Sequence, residues 1–192
     1  MKKLLLLCLL FAFSIPAKAQ FDPQAADQEF RSINRKGMWV LAGWSVSQCA
    51  VSAAALNNAN GENLAFHQMN LAWNGVNTLI AGGALWLSSK TPEDLSAMSV
   101  FERHRRIKQI LLFNAGLDVA YVLGGLYLRE SALSRPDQMD LRNGYGNAVI
   151  MNGAFLLVFD LAMYFFQKDF GGRAIDPHLS FTPNGISLRL DF

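Results

Sequence analysis

Two aspartates, Asp118 and Asp160, stand inside stretches that are otherwise apolar, together with the amides Gln48, Asn70, Asn74, Asn77, Asn114 and Asn152. Their spacing groups them on helical faces. His67, Asn70, Asn74 and Asn77 follow i, i+3, i+7, i+10, and Ser45, Gln48 and Ser52 follow i, i+3, i+7. Asn114 and Asp118, continued by Tyr121 and Gly125, keep the same rhythm. Two chemistries are open to such a set. As glue, amides donate and accept at once, each bond between membrane helices stabilising by about 0.6 to 2 kcal/mol. Alternatively, Asp118 and Asp160 hold a proton or small cation beside the amide oxygens, and His67 passes a proton to an edge. An ionised Asp at the centre of a membrane helix costs about 2.5 to 3.5 kcal/mol, a cost that glue built from Asn avoids.

Other chemistries lack their residues. The three histidines, His67, His104 and His178, lie on different segments with no paired metal-ligand spacing, so no metal or cofactor is expected. No Gly-rich phosphate loop, Gly-x-Ser-x-Gly elbow or Cys/His nucleophile pair occurs, so the expectation is a protein that is not an enzyme. A formal charge of +2 excludes a general nucleic-acid binder.

The elements that must carry these residues are four long apolar blocks, 37–56, 64–87, 107–128 and 148–166. Each matches the roughly 20 residues that cross a hydrocarbon core at 1.5 Å per residue. The last two are apolar nearly all round, whereas the helices of a soluble bundle keep a charged face. Trp39, Trp86, Tyr127 and Tyr164 sit near block ends, where an amphipathic ring suits the headgroup boundary. The expected fold is all-α: a four-helix transmembrane bundle of two antiparallel hairpins, closed by turns at 57–63 and near Ser134-Arg135-Pro136-Asp137. Amphipathic pre-helices are expected from Asp22-Pro23 and from Thr91-Pro92-Glu93-Asp94. Ala42-Gly43 recurs as Ala115-Gly116, and Asn74-Gly75 with Trp86 recurs as Asn152-Gly153 with Tyr164, the pattern of a tandem repeat.

Residues 1–19 read as a secretory signal: Lys2 and Lys3, an apolar run, then Ala17-Lys18-Ala19 before Gln20. Lys2, Lys3 and Lys18 leave with it, so 14 basic residues face 15 acidic ones and the net charge becomes −1. Cys49 is then the single thiol, which precludes an intrachain disulfide. The membrane domain is 20–170 and the tail 171–192, where Leu179, Phe181, Ile186, Leu188, Leu190 and Phe192 alternate with polar residues about Asn184-Gly185, a short C-terminal β-hairpin signal. Signal cleavage places both termini on the exported side together with 11 basic residues, against Arg129, Arg135 and Arg142 on the other. That is the reverse of the positive-inside rule. Either the signal is not cleaved as read, or a span is wrongly assigned, or the helices insert in another envelope membrane after export, where the rule does not operate. Arg103, Arg105 and Arg106 could bind lipid phosphates on either side.

The signal ending Ala-Lys-Ala-Gln, four spans with Asn/Asp interiors and a short β tail ending in Phe together resemble uncharacterised families of small bacterial membrane proteins. The resemblance covers most of the chain, implies the architecture and brings no activity with it. The reading is an integral membrane protein of the bacterial cell envelope, in the inner membrane with periplasmic termini. It would be a non-enzymatic structural or accessory subunit. The alternative is a small proton- or cation-coupled transporter or channel component using Asp118 and Asp160. Membrane lipids are the expected partners, with a protein partner through the C-terminal hairpin or a homo-oligomer.

Overall fold

The computed structural model describes residues 21–90, 92–176, 179–182 and 185–188, the last two as strand backbone. The signal segment, Thr91, His178, Asn184 and Phe192 lie outside the described residues. Four helices form the body: α1 (Pro23–Ala55), α2 (Gly61–Ser88), α3 (Ala97–Ala132) and α4 (Met139–Ala174), the last preceded by a 3-10 turn at Pro136–Gln138.

The expected pre-helices are corrected first in where the second begins; each runs on into its apolar block, as expected. α1 runs unbroken for 33 residues, and α3 and α4 for 36 each, about 50 Å at 1.5 Å per residue. Nothing in Phe30–Leu41 or Phe101–Leu111 breaks the backbone ladder, so each amphipathic start continues into its apolar block. Asp22 caps α1 as its spacing suggests, with Oδ1 accepting from the backbone N–H of Gln24 at 2.9 Å and of Ala25 at 3.1 Å, and Pro23 in the first turn. α3 begins later than expected. Asp94 folds back to accept from the Ser96 backbone at 2.7 Å and its hydroxyl at 3.1 Å, and Ser96 itself caps the helix. Those bonds hold the exposed Asp94 carboxyl below its ordinary pKa, the backbone bond contributing most.

The fold class is also corrected: it is an all-α bundle of four helices, and a β-hairpin is not a component of it. The tail backbone at Leu179–Thr182 and Gly185–Leu188 ladders only with itself, antiparallel, and adds no layer to the helical body. Four-residue segments expose too little apolar surface to form an independent layer.

α1 packs antiparallel on α2, α2 on α4, and α4 on α3; α2 and α3 stand largely apart and meet through Trp73 and Tyr121. The α3–α4 crossing is close because an ideal Cβ at Gly125 would stand 2.7 Å from the Gly146 carbonyl oxygen. At the turn into α2, Gly61 takes φ +51°, a left-handed conformation that a side chain would strain.

Three helices, α1, α3 and the α4 unit, are long and apolar enough to cross a membrane. α2 has the length, but His67, Asn70, Asn74, Asn77 and Thr78 lie along its first two thirds and lower its hydropathy. Large apolar side chains point outward on all four, including Leu79 at 77% exposure and Phe113 at 68%, where no protein covers them.

Beyond the apolar blocks, α1, α3 and α4 continue into a cap that α2 does not reach. Its core is Phe21, Phe30, Val100, Phe170 and Ile175. His104 is buried among them, edge-on to Phe170 at 5.3 Å and Phe30 at 6.4 Å between ring centroids. Its Nε2 lies 2.7 Å from the Gln167 carbonyl, so that nitrogen carries the hydrogen and donates. Burial lowers the ring pKa, outweighing the carbonyl bond that raises it. Asp27, 1% exposed, joins two helices by accepting from Arg31 at 2.8 Å and Arg103 at 2.9 Å.

Candidate functional site

The polar residues singled out in the sequence do not form one stripe. They separate into two clusters with different character.

The first cluster lies where α1, α2 and α4 meet. Asn70, Asn74 and Asn152 are wholly buried and bond in a ring. Asn74 Nδ2 donates to Asn70 Oδ1 at 2.8 Å and to Asn152 Oδ1 at 2.9 Å, while Asn152 Nδ2 donates to Asn70 Oδ1 at 2.8 Å. Asn70 Nδ2 reaches α1, donating to Gln48 Oε1 at 3.0 Å and Ser52 Oγ at 2.8 Å. His67 ends the chain, its Nδ1 3.3 Å from Ser52 Oγ. One turn along, Thr78 Oγ1 donates to Ser45 Oγ at 3.0 Å. Asn74 and Asn152, matched positions of the two apparent repeats, touch each other at the join between the halves. Almost every donor here has an acceptor on another helix, the signature of a clamp.

The second cluster lies between α3 and α4 and faces the space left open by α2. Asp118 and Asp160 approach within hydrogen-bonding reach of each other, and Asn114 stands beside Asp160. Touching carboxyls repel when both are ionised and share a hydrogen bond when one is protonated. They open onto a cavity of about 520 Å³, with Trp73, Asn77 and Ile80 on one wall and Ile110 and Leu117 on the other. Trp73 meets Tyr121 edge-on at 4.8 Å between centroids, closing one end. Towards the cap the cavity reaches Met38, Ala84 and Ile107. Val76, Ile80 and Ile110 are about half exposed, so the mouth looks sideways out of the bundle.

This cluster is incompletely satisfied. Asp118 Oδ2 and Asn77 Nδ2 are buried without a hydrogen-bond partner, each leaving a desolvation cost of about 1 to 3 kcal/mol uncompensated. The amide ring, by comparison, leaves Asn74 Oδ1 without a partner. No hydrogen bond joins the carboxyl pair to His67, whose bonds run to the amide ring instead. The pathway from the acids through His67 therefore has no connected route among the described residues.

The three arginines are placed differently from one another. Arg103 is committed within the cap, donating to Asp27, to the Asp94 carbonyl at 3.0 Å and to Ser99 Oγ at 3.1 Å. Arg105 and Arg106 are exposed on the outside of the same turn. Among the described residues no three acids, histidines or cysteines converge as metal ligands.

Sequence spacing missed the role of Trp73, which needs the α2–α3 gap to become a wall, and that of Asp27. The i, i+4 pair Asp27–Arg31 was a visible signal, but the contribution of Arg103 from 76 residues away was not. No curated protein and no solved structure matches the chain. A family model does match residues 40–161, a stretch holding every residue of both clusters, and on that ground the chain belongs to DUF6992, a family of unknown function.

Proposed function

We propose that this is a four-span integral membrane protein of the bacterial envelope, a non-enzymatic accessory subunit whose amide ring is structural and whose carboxyl pair is a binding site. Its orientation follows export, with the cap and both termini periplasmic and membrane lipids as its surroundings. A protein partner or a second copy completes the assembly it serves. The observation that carries the reading is the split between the clusters. The amide ring bonds across helices, leaves Asn74 Oδ1 unpartnered and does not line the cavity, whereas the Asp118–Asp160 pair faces that cavity, into which Asn77 and Asp118 bring unpartnered polar atoms.

The two roles part under substitution. Asn74→Leu or Asn152→Leu should cause loss of folded protein in detergent, because the first leaves the buried Asn152 Oδ1 without its donor and the second takes an acceptor from Asn74 Nδ2 and a donor from Asn70 Oδ1. The double variant Asp118→Asn, Asp160→Asn should fold and melt within a few degrees of the wild type. Collapse of that double variant would make the pair a second clamp and end the reading.

A second reading, proton or cation uptake by the same pair, is favoured by the contact between the two carboxyls. It requires an aqueous approach, whereas the cavity opens sideways and Trp73–Tyr121 shuts one end. Proteoliposomes carrying wild type should then show a proton or sodium flux that the double variant abolishes.

A further inference from the structure

The cavity has a chemistry of its own. Its walls are apolar, its volume falls in the range of small-molecule sites, and its mouth lies in the gap between α2 and α3. On its inner side stand two buried polar atoms of opposite kind: the amide donor Nδ2 of Asn77, 7% exposed, and the carboxyl acceptor Oδ2 of Asp118, 2% exposed. They belong to different helices, α2 and α3, which meet at the Trp73–Tyr121 ring contact. A cation would satisfy the carboxyl and leave the amide donor idle. A ketone would do the reverse. A single hydroxyl answers both, accepting with a lone pair and donating its proton. The entrance, between exposed Val76 and Ile80 on α2 and Ile110 on α3, admits a molecule already dissolved in the bilayer.

We propose that the α2–α3 groove binds a neutral lipophilic alcohol or phenol from the bilayer, its hydroxyl bridging Asn77 and Asp118 and its apolar body lying along the groove. The proposal rests on the reading of the carboxyl pair as a binding site. Trp73 and Tyr121 form the stop against which the hydroxyl-bearing end sits, and Met38, Ala84 and Ile107 line the far end where the body extends. The hydroxyl thereby ties α2 to α3 beside the Trp73–Tyr121 contact.

The test is binding by full-length protein in nanodiscs of saturated phosphatidylcholine. Farnesol is the probe, and its methyl ether, which can accept but not donate, is the match. Tryptophan fluorescence reads saturation and a thermal shift reads stabilisation. Farnesol should bind saturably and raise the melting temperature, and the ether should bind about tenfold more weakly for want of one hydrogen bond. Asp118→Leu should weaken farnesol about tenfold and leave the ether nearly unchanged, whereas Asn77→Leu, which removes the donor that both oxygens accept from, should weaken both probes about tenfold. Should either variant fold poorly, Ile80→Trp, on the exposed wall, keeps the test alive by filling the mouth and abolishing binding of both probes. Equal affinity for alcohol and ether would overturn the proposal, since the groove would then be a plain lipid slot. So would binding of sodium, read against N-methylglucamine, that displaces farnesol. Neither result depends on the ligand-free stability of the Asp118→Asn, Asp160→Asn protein, which decides the underlying reading separately.

Discussion

Asn152 shows what one amide can carry in an apolar interior. Its Oδ1 accepts from Asn74, and its Nδ2 donates to Asn70 and to the Ala148 carbonyl one turn back. Replacing it with Leu removes two bonds between helices and strands the groups they served, at a cost of about 2 to 4 kcal/mol. Asp27 works at the cap by charge. Asp27→Asn should cost about 1 to 3 kcal/mol, less than for a fully enclosed pair because Arg31 and Arg103 remain about 30% exposed and can turn to water. Chemical denaturation of the detergent-solubilised protein measures both. His104 gives the cap a pH dependence. Its folded pKa lies below the ordinary 6.5, so the unfolded chain binds the proton more readily. Stability from this residue is complete above about 6.5 and declines as pH falls below it. His104→Gln should flatten that part of the profile, read as melting temperature between pH 7.5 and pH 5.

At the scale of the helices, the close crossing of α3 and α4 is the contact most exposed to a single change. A Cβ at Gly125 would press on the Gly146 carbonyl and on Ile150, both held by their own helix. Gly125→Val should therefore cost 1 to 3 kcal/mol or more, whereas Gly116→Ala, with nothing within 4 Å, should be neutral or slightly stabilising. Equal melting temperatures for the two would show that the crossing is not tightly held. The same helices mark how far the sequence could be read. Four apolar blocks and their polar faces were legible, because hydropathy and the 3.6-residue period are local. The division of the polar residues into a clamp and a cavity was not, since it depends on which helices touch. Asn77 shares its face with Asn70 and Asn74, yet α4 bonds Asn74 while Asn77 is left over the gap beside α3. Apolar content marks only part of each helix: α1 and α3 extend beyond their blocks, as their amphipathic starts suggested, and α4 extends at both ends. The tail alternation was a local signal too, but packing onto the body was a tertiary matter that alternation could not decide.

For the molecule as a whole, charge decides which way it faces. The cap gathers Arg31, Arg35, Lys36, Arg103, Arg105, Arg106, Lys108, Lys168 and Arg173 at one end, while Arg129, Arg135 and Arg142 lie at the other. Counted as lysine and arginine, that asymmetry favours a cytoplasmic cap. In the folded cap Arg31 and Arg103 close on Asp27, and Arg173 closes on Glu29 and Asp169 at 3.0 Å each, so its free charge is lower than the count. Those pairs form only after the segments have been placed and do not bear on insertion. Two single-cysteine proteins in a Cys49→Ala background distinguish the orientations: Glu102→Cys on the exposed face of the cap and Ser134→Cys in the opposite turn. With a membrane-impermeant maleimide on intact cells, the cap cysteine should label and the turn cysteine should label only after lysis. The reverse pattern would put the cap in the cytoplasm and make the basic end, rather than export, the determinant of orientation.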